Sequence, residues 1–317
     1  MRAVLVGGLG FLGAVLAERL AAGGWEVVVA ARRSSVERRP GLARHLEGLG
    51  VRVEAPASLT RRTLENLGAD VYYHLAGSIR GPRRRMWEAH VGLARSAALA
   101  AAALGARLVY VSAVTATGRL RGRPPGSRVV EEERHMDPSL VGPETPFEET
   151  KAEGERAVAS TPKLRWAIVR PGLIVGRWGY HPEWRWTARL ARLGLAPDLD
   201  AAPLSPAGGL AALLEDAGSG GYDGAWVHAV ACTCRLYEAT GEACRLLRGR
   251  PCRPLPASGL LASLGRLAPP ASPAREASAI ARRRYIYESR HRQPEWPTPA
   301  EAAGEWVEWL RSTGGRV

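Results

Sequence analysis

Over the first 175 residues, short unbroken apolar runs alternate with segments whose apolar residues recur at helical spacing. Ala3 to Val6 has no polar interruption, as a central parallel strand buried on both faces requires. Ala14 to Ala22 carries the helical period, and Gly23-Gly24 stops it. Glu26 to Ala31 predicts a second strand, Val51 to Val53 a short third one, and Arg61 to Leu67 a helix. Asp70 to Gly77 predicts a strand ending in a small-residue turn, with an alanine-rich helix from Met86 to Leu104 behind it. Arg107 to Ser112 and Trp166 to Arg170 predict two further buried strands, with Phe147 to Ser160 helical between them. Such alternation predicts an α/β fold built on a doubly wound parallel sheet.

Beyond Gly176 the pattern changes. Prolines thicken, Trp178, Trp184 and Trp186 appear, and Pro251 to Pro273 reads as loop-rich. Pro299 to Arg311, with Trp306 and Trp309, predicts a closing helix. The expected division is a Rossmann domain over 1–175 and a smaller substrate domain over 176–317, with some later segments returning to the first sheet.

The first turn carries the clearest chemistry. Gly7, Gly10 and Gly13 follow the opening strand at three-residue spacing and lead directly into the first helix. Gly7 permits a tight turn, Gly10 lets the backbone approach a pyrophosphate, and Gly13 lets helix and strand pack closely. The helix N-terminus then faces the anion. The second strand ends Ala30-Ala31-Arg32-Arg33, with no acid to hold a free ribose hydroxyl. Two arginines there suit a 2′-phosphate, so NADP is favoured over NAD; the alternative is two more surface arginines in an arginine-rich chain.

Composition narrows the rest. The charge of +13 is almost all arginine, since Lys151 and Lys163 are the only lysines, and Asn66 and Gln293 are the sole side-chain amides. Abundant arginine and scarce amides fit a high-temperature source with a GC-rich genome, which argues against nucleic-acid binding as the meaning of the charge. Arg80, Arg83, Arg84 and Arg85 crowd one loop and Arg119, Arg121 and Arg123 another, either holding an anionic substrate or forming a solvated rim. No apolar stretch approaches a membrane span, and the chain opens directly on a strand, so a cytoplasmic protein is expected. Cys232, Cys234, Cys244 and Cys252 have no zinc-like spacing; free buried thiols are favoured, with a stabilising disulfide as the alternative, and no metal site is expected.

In order and spacing, Gly7 to Gly13, His74-Leu75-Ala76-Gly77, Val109 to Ser112, Lys151 with Glu155, and Arg170-Pro171-Gly172 with Gly176 are similar to the extended short-chain dehydrogenase/reductase superfamily. The resemblance is to its NAD-dependent epimerase/dehydratase type, including UDP-galactose 4-epimerase and its nucleotide-sugar relatives, and spans nearly the whole chain. It implies dinucleotide contacts at Gly7, Gly10, Phe11, Leu12, Gly13, Arg32, Arg33, Leu75, Ala76, Gly77, Lys151, Pro171 and Gly172. It also implies a nucleotide-sugar substrate and a homodimer formed through the helices at Met86 to Leu104 and Phe147 to Ser160.

The same resemblance implies a Tyr acid/base four residues before the Lys, and a Ser or Thr that holds the substrate oxygen. Those positions fall on Phe147 and Ala113. Phenylalanine neither takes nor gives a proton, and a positioned acid/base is worth roughly 10²- to 10⁴-fold in rate. Candidate substitutes are Ser112, Thr115, Tyr180 and His181, with His90 and Glu149 further off. Two smaller departures are Glu54-Ala55-Pro56-Ala57, where relatives often place an adenine-touching Asp, and His90 in place of a helical Asn. An enzyme with a relocated acid/base and a dinucleotide-binding protein without catalysis are therefore both open.

Overall fold

The computed structural model describes residues 1–131 and 141–314. Strands β1 (Arg2–Val6), β2 (Glu26–Ala30), β3 (Arg52–Glu54) and β4 (Val71–His74) are joined by α1 (Phe11–Ala22), by α2 (Arg33–Arg38) with α3 (Pro40–Gly48), and by α4 (Arg61–Leu67). Then come α5 (Arg83–Trp87), a π-helical turn (Glu88–Gly92), α6 (Leu93–Leu104) and β5 (Arg107–Val111). A 3-10 turn (Val114–Thr117) and the short strands β6 (Arg119–Leu120), β7 (Arg128–Val129) and β8 (Val141–Gly142) precede α7 (Pro146–Ala159), β9 (Arg165–Pro171) and β10 (Leu173–Val175).

The second half supplies α8 (Pro182–Arg192), β11 (Leu195–Asp198), β12 (Ala202–Pro206), α9 (Ala207–Ser219), β13 (Ala225–Ala229) and β14 (Cys232–Cys234). It closes with α10 (Tyr237–Arg248), β15 (Arg253–Pro256), α11 (Ser258–Leu264), α12 (Pro273–Arg283), β16 (Ile286–Tyr287) and α13 (Pro299–Thr313).

Seven parallel strands form the main sheet in the order β13-β9-β5-β4-β1-β2-β3. Helices α1, α3 and α9 cover one face, and α4, α6 and α7 the other. Successive side chains on β1 therefore enter different cores: Ala3 and Leu5 join one, Val4 and Val6 the other. Burial on both sides explains why these strands read as unbroken apolar runs. The winding direction reverses between β1 and β4, and ligands of open α/β sheets bind at such a switch point.

The later segments do not stay apart from this sheet. Helix α9 packs on α1, and β13 adds the outermost strand beside β9. The tryptophans anchor the remainder: Trp178, Trp184, Trp306 and Trp309 are all buried, and Trp306 Nε1 donates to the Gly179 carbonyl at 2.9 Å.

Two expectations need correction. Pro251 to Pro273 contains β15 and α11 rather than loop alone. Its prolines are tolerated because β15 pairs with β11 in a two-stranded ribbon, where an edge strand need not donate every amide. The cysteines are paired, Cys232 with Cys234 and Cys244 with Cys252, not free. Cys232 and Cys234 share one face of β14 with Cα atoms 5.5 Å apart, and α10 brings Cys244 within 6.0 Å of Cys252, both inside bridging range. Among the described residues no helix is long and apolar enough to cross a membrane.

Candidate active site

The turn from β1 into α1 lies at the switch point, against the end of β4. Gly7 has φ +83°, and a Cβ there would sit 2.7 Å from the Ala76 Cα, so both conformation and contact demand glycine. A Cβ on Gly13 would overlap the Gly8 carbonyl, which fixes how closely α1 approaches the turn. Gly10 is different. A Cβ there would come no nearer than 3.6 Å to the Gly7 carbonyl, so packing does not require it to be bare. Its bareness leaves open the mouth of α1, whose N-cap has no side-chain hydrogen bond and whose first turn has no acid. Unsatisfied amides at a helix start suit an anion. These residues fit a dinucleotide pyrophosphate.

Leu75, Ala76 and Gly77 continue β4 over this turn, with the Leu75 amide donating to Val6 O at 2.9 Å. Gly77 is hemmed in: a Cβ would lie 3.3 Å from His90 Nε2 and 3.6 Å from Lys151 Nζ. Lys151 projects from α7 into this corner and donates to the Val111 carbonyl at 2.8 Å. Burial lowers its pKa to about 8, and Glu155 opposes the shift. Glu155 itself forms a wholly buried ion pair with Arg170 of β9 and accepts from Trp226 Nε1 at 3.0 Å, which fixes α7 to the sheet. At the end of β9, the Gly172 amide donates to Ser205 Oγ at 2.9 Å, so Pro171 and Gly172 close the corner.

His90 has a structural task. Its Nε2 accepts from the Ser78 amide at 3.1 Å, so in the neutral ring Nδ1 carries the proton and donates to Thr150 Oγ1 at 2.8 Å. The Thr150 hydroxyl in turn donates to Pro146 O at 2.7 Å. Burial, then Lys151 and His74, hold the His90 pKa well below the ordinary imidazole value. A neutral, fully engaged imidazole pins the loop after β4 and is not placed as a proton donor.

On the ribose side, Arg32 caps α2 and is exposed, while exposed Arg33 faces Glu37 at 3.4 Å. Sequence reasoning missed Arg39, whose guanidinium stands 4.7 Å from the ring centre of Tyr180. The Tyr180 hydroxyl points to Leu9 O at 3.4 Å, and His181 packs against Phe11. Both lie on the glycine turn, and no contact joins either to Lys151 among the described residues. The arginine loops also differ. Arg83 pairs with Glu149 and Arg84 with Glu88, both at 2.9 Å, whereas Arg119, Arg121 and Arg123 line a cavity of about 630 Å³ with Glu144 at its edge.

At the proton-handling positions, Phe147 packs edge-on to His90 with ring centres 5.5 Å apart, and Ala113 caps the 3-10 turn. Ser112 and Thr115, each 4 % exposed, have buried hydroxyls without a hydrogen bond of normal geometry. Beyond them lies a group that no motif announced. Glu148, Glu276 and Arg283 are all at most 5 % exposed, Glu148 pairs with Arg283, and Thr145 Oγ1 donates to Glu276 Oε2 at 2.8 Å. Burial pushes Glu148 up to about 7 and raises Glu276 too. The available signal was Glu276 and Arg283 recurring near helical spacing in a segment rich in small residues, which is faint.

Residues 3–196 match the model of the NAD dependent epimerase/dehydratase family. The chain belongs to that family. The solved structure of MoeE5 with UDP-glucuronic acid and NAD is similar over 98 % of this chain and 99 % of that one, with 18 % identity and TM-score 0.69. Bordetella bronchiseptica WbmH with NAD+ is similar over 99 % of both chains, at 16 % identity and TM-score 0.69. The dTDP-4-dehydrorhamnose reductase of Bacillus anthracis str. Ames with NADP covers 97 % of this chain and 98 % of that one, at 15 % identity and TM-score 0.65. At such identities the likeness concerns the fold. No curated protein matches the chain in sequence.

Proposed function

We propose that this protein is an NAD(P)-dependent oxidoreductase of the epimerase/dehydratase type, acting on a nucleotide sugar or a similar anionic substrate with a non-standard acid/base. The cradle of Gly7, Gly10, Gly13, Gly77 and Lys151 carries the reading, because glycine at Gly10 serves no packing need of the protein itself. A bound dinucleotide supplies a hydride acceptor or donor. The protein's part is to hold its pyrophosphate at the start of α1, and its ribose beside the Lys151 ammonium. Arg32 and Arg33 favour NADP, and the Arg119–Arg123 cavity suits a diphosphate-bearing substrate. The related structures with NAD, NADP and UDP-sugars are consistent with this class. A cytoplasmic homodimer packed through α5–α6 and α7 completes the proposal.

A second reading rests on Phe147 and Ala113: a protein that keeps the dinucleotide as a structural or sensing ligand and has lost turnover. Incubation with NADP and a panel of UDP- and dTDP-sugars, followed by absorbance and product analysis, separates the two. Reduced dinucleotide or an altered sugar supports the enzyme. Tight NADP binding with every sugar unchanged supports the second reading.

A further inference from the structure

Helix α11 reads Ser-Gly-Leu-Leu-Ala-Ser-Leu, yet none of its residues is buried. Of its three leucines, Leu261 packs in part against the main core. Leu260 and Leu264 stand one turn apart on the same face and are exposed, Leu260 by 61 %. Leu267, in the 3-10 turn that follows (Gly265–Leu267), is 83 % exposed. Helix α8 has a comparable outer side, where Trp186 and Leu193 are exposed. The β11–β15 ribbon joins the two helices. Arg253 N donates to Gly194 O at 2.9 Å where α8 ends, and Ala257 N donates to Asp198 O at 2.8 Å where α11 begins. Exposed Leu255 lies between, on a ribbon four residues or about 13 Å long. Of the eleven large apolar side chains exposed among the described residues, six belong to this run of elements. Scattered exposed leucines need no explanation, but such a concentration marks a surface that meets something.

The charge around these side chains has one sign. From Trp184 to Pro197, and again from Ala243 to Arg275, the chain contains no aspartate or glutamate. Over the same stretches Arg185, Arg189, Arg192, Arg250 and Arg253 are exposed. The first three recur at i, i+4 and i+7, so they share one face of α8, and Arg189 stands 5.0 Å from the Trp186 ring centre. Neighbouring Arg235 and Arg245 are neutralised by Asp198 and Glu242. Asp200 marks the edge of the basic surface: it is exposed, and its amide donates to Ser258 Oγ at 3.0 Å.

Partners differ in what they offer such a face. A second copy of the chain would set arginines against arginines. A nucleic acid offers phosphates but no apolar layer for leucines to enter. An anionic bilayer offers both, phosphates outside and hydrocarbon beneath, and tryptophan beside arginine suits that boundary. We propose that α8, β15 and α11 form a peripheral docking face for an anionic lipid surface. Leu260, Leu264 and Leu267 enter the headgroup boundary, and Arg189, Arg192 and Arg253 meet phosphates. The contact is interfacial, since α11 has seven residues and no described helix is long and apolar enough to cross a membrane. It is separate from the dinucleotide cradle, which is built on the turn after β1, the end of β4 and α7.

The test is flotation of the full chain with vesicles of phosphatidylcholine alone, and with vesicles in which about one-third of the lipid is phosphatidylglycerol. Binding should be at least about tenfold tighter to the anionic vesicles. Leu264→Ser and Leu267→Ser should each weaken it about tenfold, as the loss of a leucine from an apolar layer predicts. Arg189→Ala combined with Arg192→Ala should weaken it about 25-fold, with a smaller effect at high salt. All four side chains are exposed, so circular-dichroism melts and NADP titrations of the variants should match the parent. Equal binding to the two kinds of vesicle, or leucine variants that bind as the parent does, overturns the proposal. Binding to duplex DNA but not to vesicles would overturn it in favour of a nucleic acid, and a dimer that Leu264→Ser dissociates, without vesicle binding, in favour of a second copy.

Discussion

Two stretches of α7 show how differently this molecule treats the halves of one site. Around Lys151 and Glu155 both side chains are tied to the sheet, Lys151 through the Val111 carbonyl of β5 and Glu155 through Arg170 of β9 and Trp226 of β13. Around Thr145 and Phe147, one turn earlier, the phenol position is filled by a ring packed on His90, and the polar groups turn instead toward α12. The dinucleotide half is a set of close approaches that a substitution would break. The proton-handling half has no such constraint, because a hydroxyl or carboxyl can reach a reacting oxygen from more than one element. Binding geometry is therefore kept by packing, whereas proton chemistry can move.

Substitutions that probe the first half should have the largest effects. Glu155→Gln removes the buried carboxylate that pairs with Arg170 and accepts from Trp226 Nε1, so a loss of about 3–5 kcal/mol in denaturant unfolding is expected; a loss below about 1 kcal/mol would show that the ion pair does not fasten the helix. Lys151 comes next. Its folded pKa of about 8 lies below the ordinary 10.5, so the unfolded chain binds more protons between those values. Its contribution to stability is therefore least below about pH 8 and rises as the pH climbs toward 10.5, by up to ~3 kcal/mol at ~1.4 kcal/mol per unit. Lys151→Met should flatten that rise in unfolding curves taken across the window; an unchanged slope would place the lysine in water.

Smaller changes bear on the ribose side and on the discarded phenol. Arg32→Ala should weaken NADP by about tenfold, near 1.4 kcal/mol, and leave NAD alone, as read by fluorescence titration. Equal losses for both would deny it the 2′-phosphate. Tyr180→Phe should change stability by no more than about 0.5 kcal/mol, because its hydroxyl is only 3.4 Å from Leu9 O in marginal geometry. Its hydride-transfer rate should also stay within about threefold, and a 100-fold loss would return Tyr180 to the role of acid/base.

The order of these elements was legible because burial on both faces writes an unbroken apolar run into each parallel strand. Gly7 and Gly13 were legible for a similar reason, since contact leaves no alternative residue. Strand ends moved by a residue or so, as at Val51 to Val53 against β3, where hydrogen bonding rather than polarity sets the limit. What stayed hidden depends on distant pairings. Nothing near Glu276 in sequence announces Thr145, and nothing near Arg39 announces Tyr180, because each contact joins segments more than 100 residues apart. The cysteine pairs were hidden differently: spacing alone does not reveal that Cys232 and Cys234 share a strand face or that α10 turns Cys244 toward Cys252.

The most direct measurement is titration of the purified protein with NADP and NAD, beside its Lys151→Met variant. An intact cradle gives saturable binding that is tighter for NADP and weakened by the variant. Failure of the parent protein to bind either dinucleotide would make Gly10 a structural turn and contradict the reading of this site.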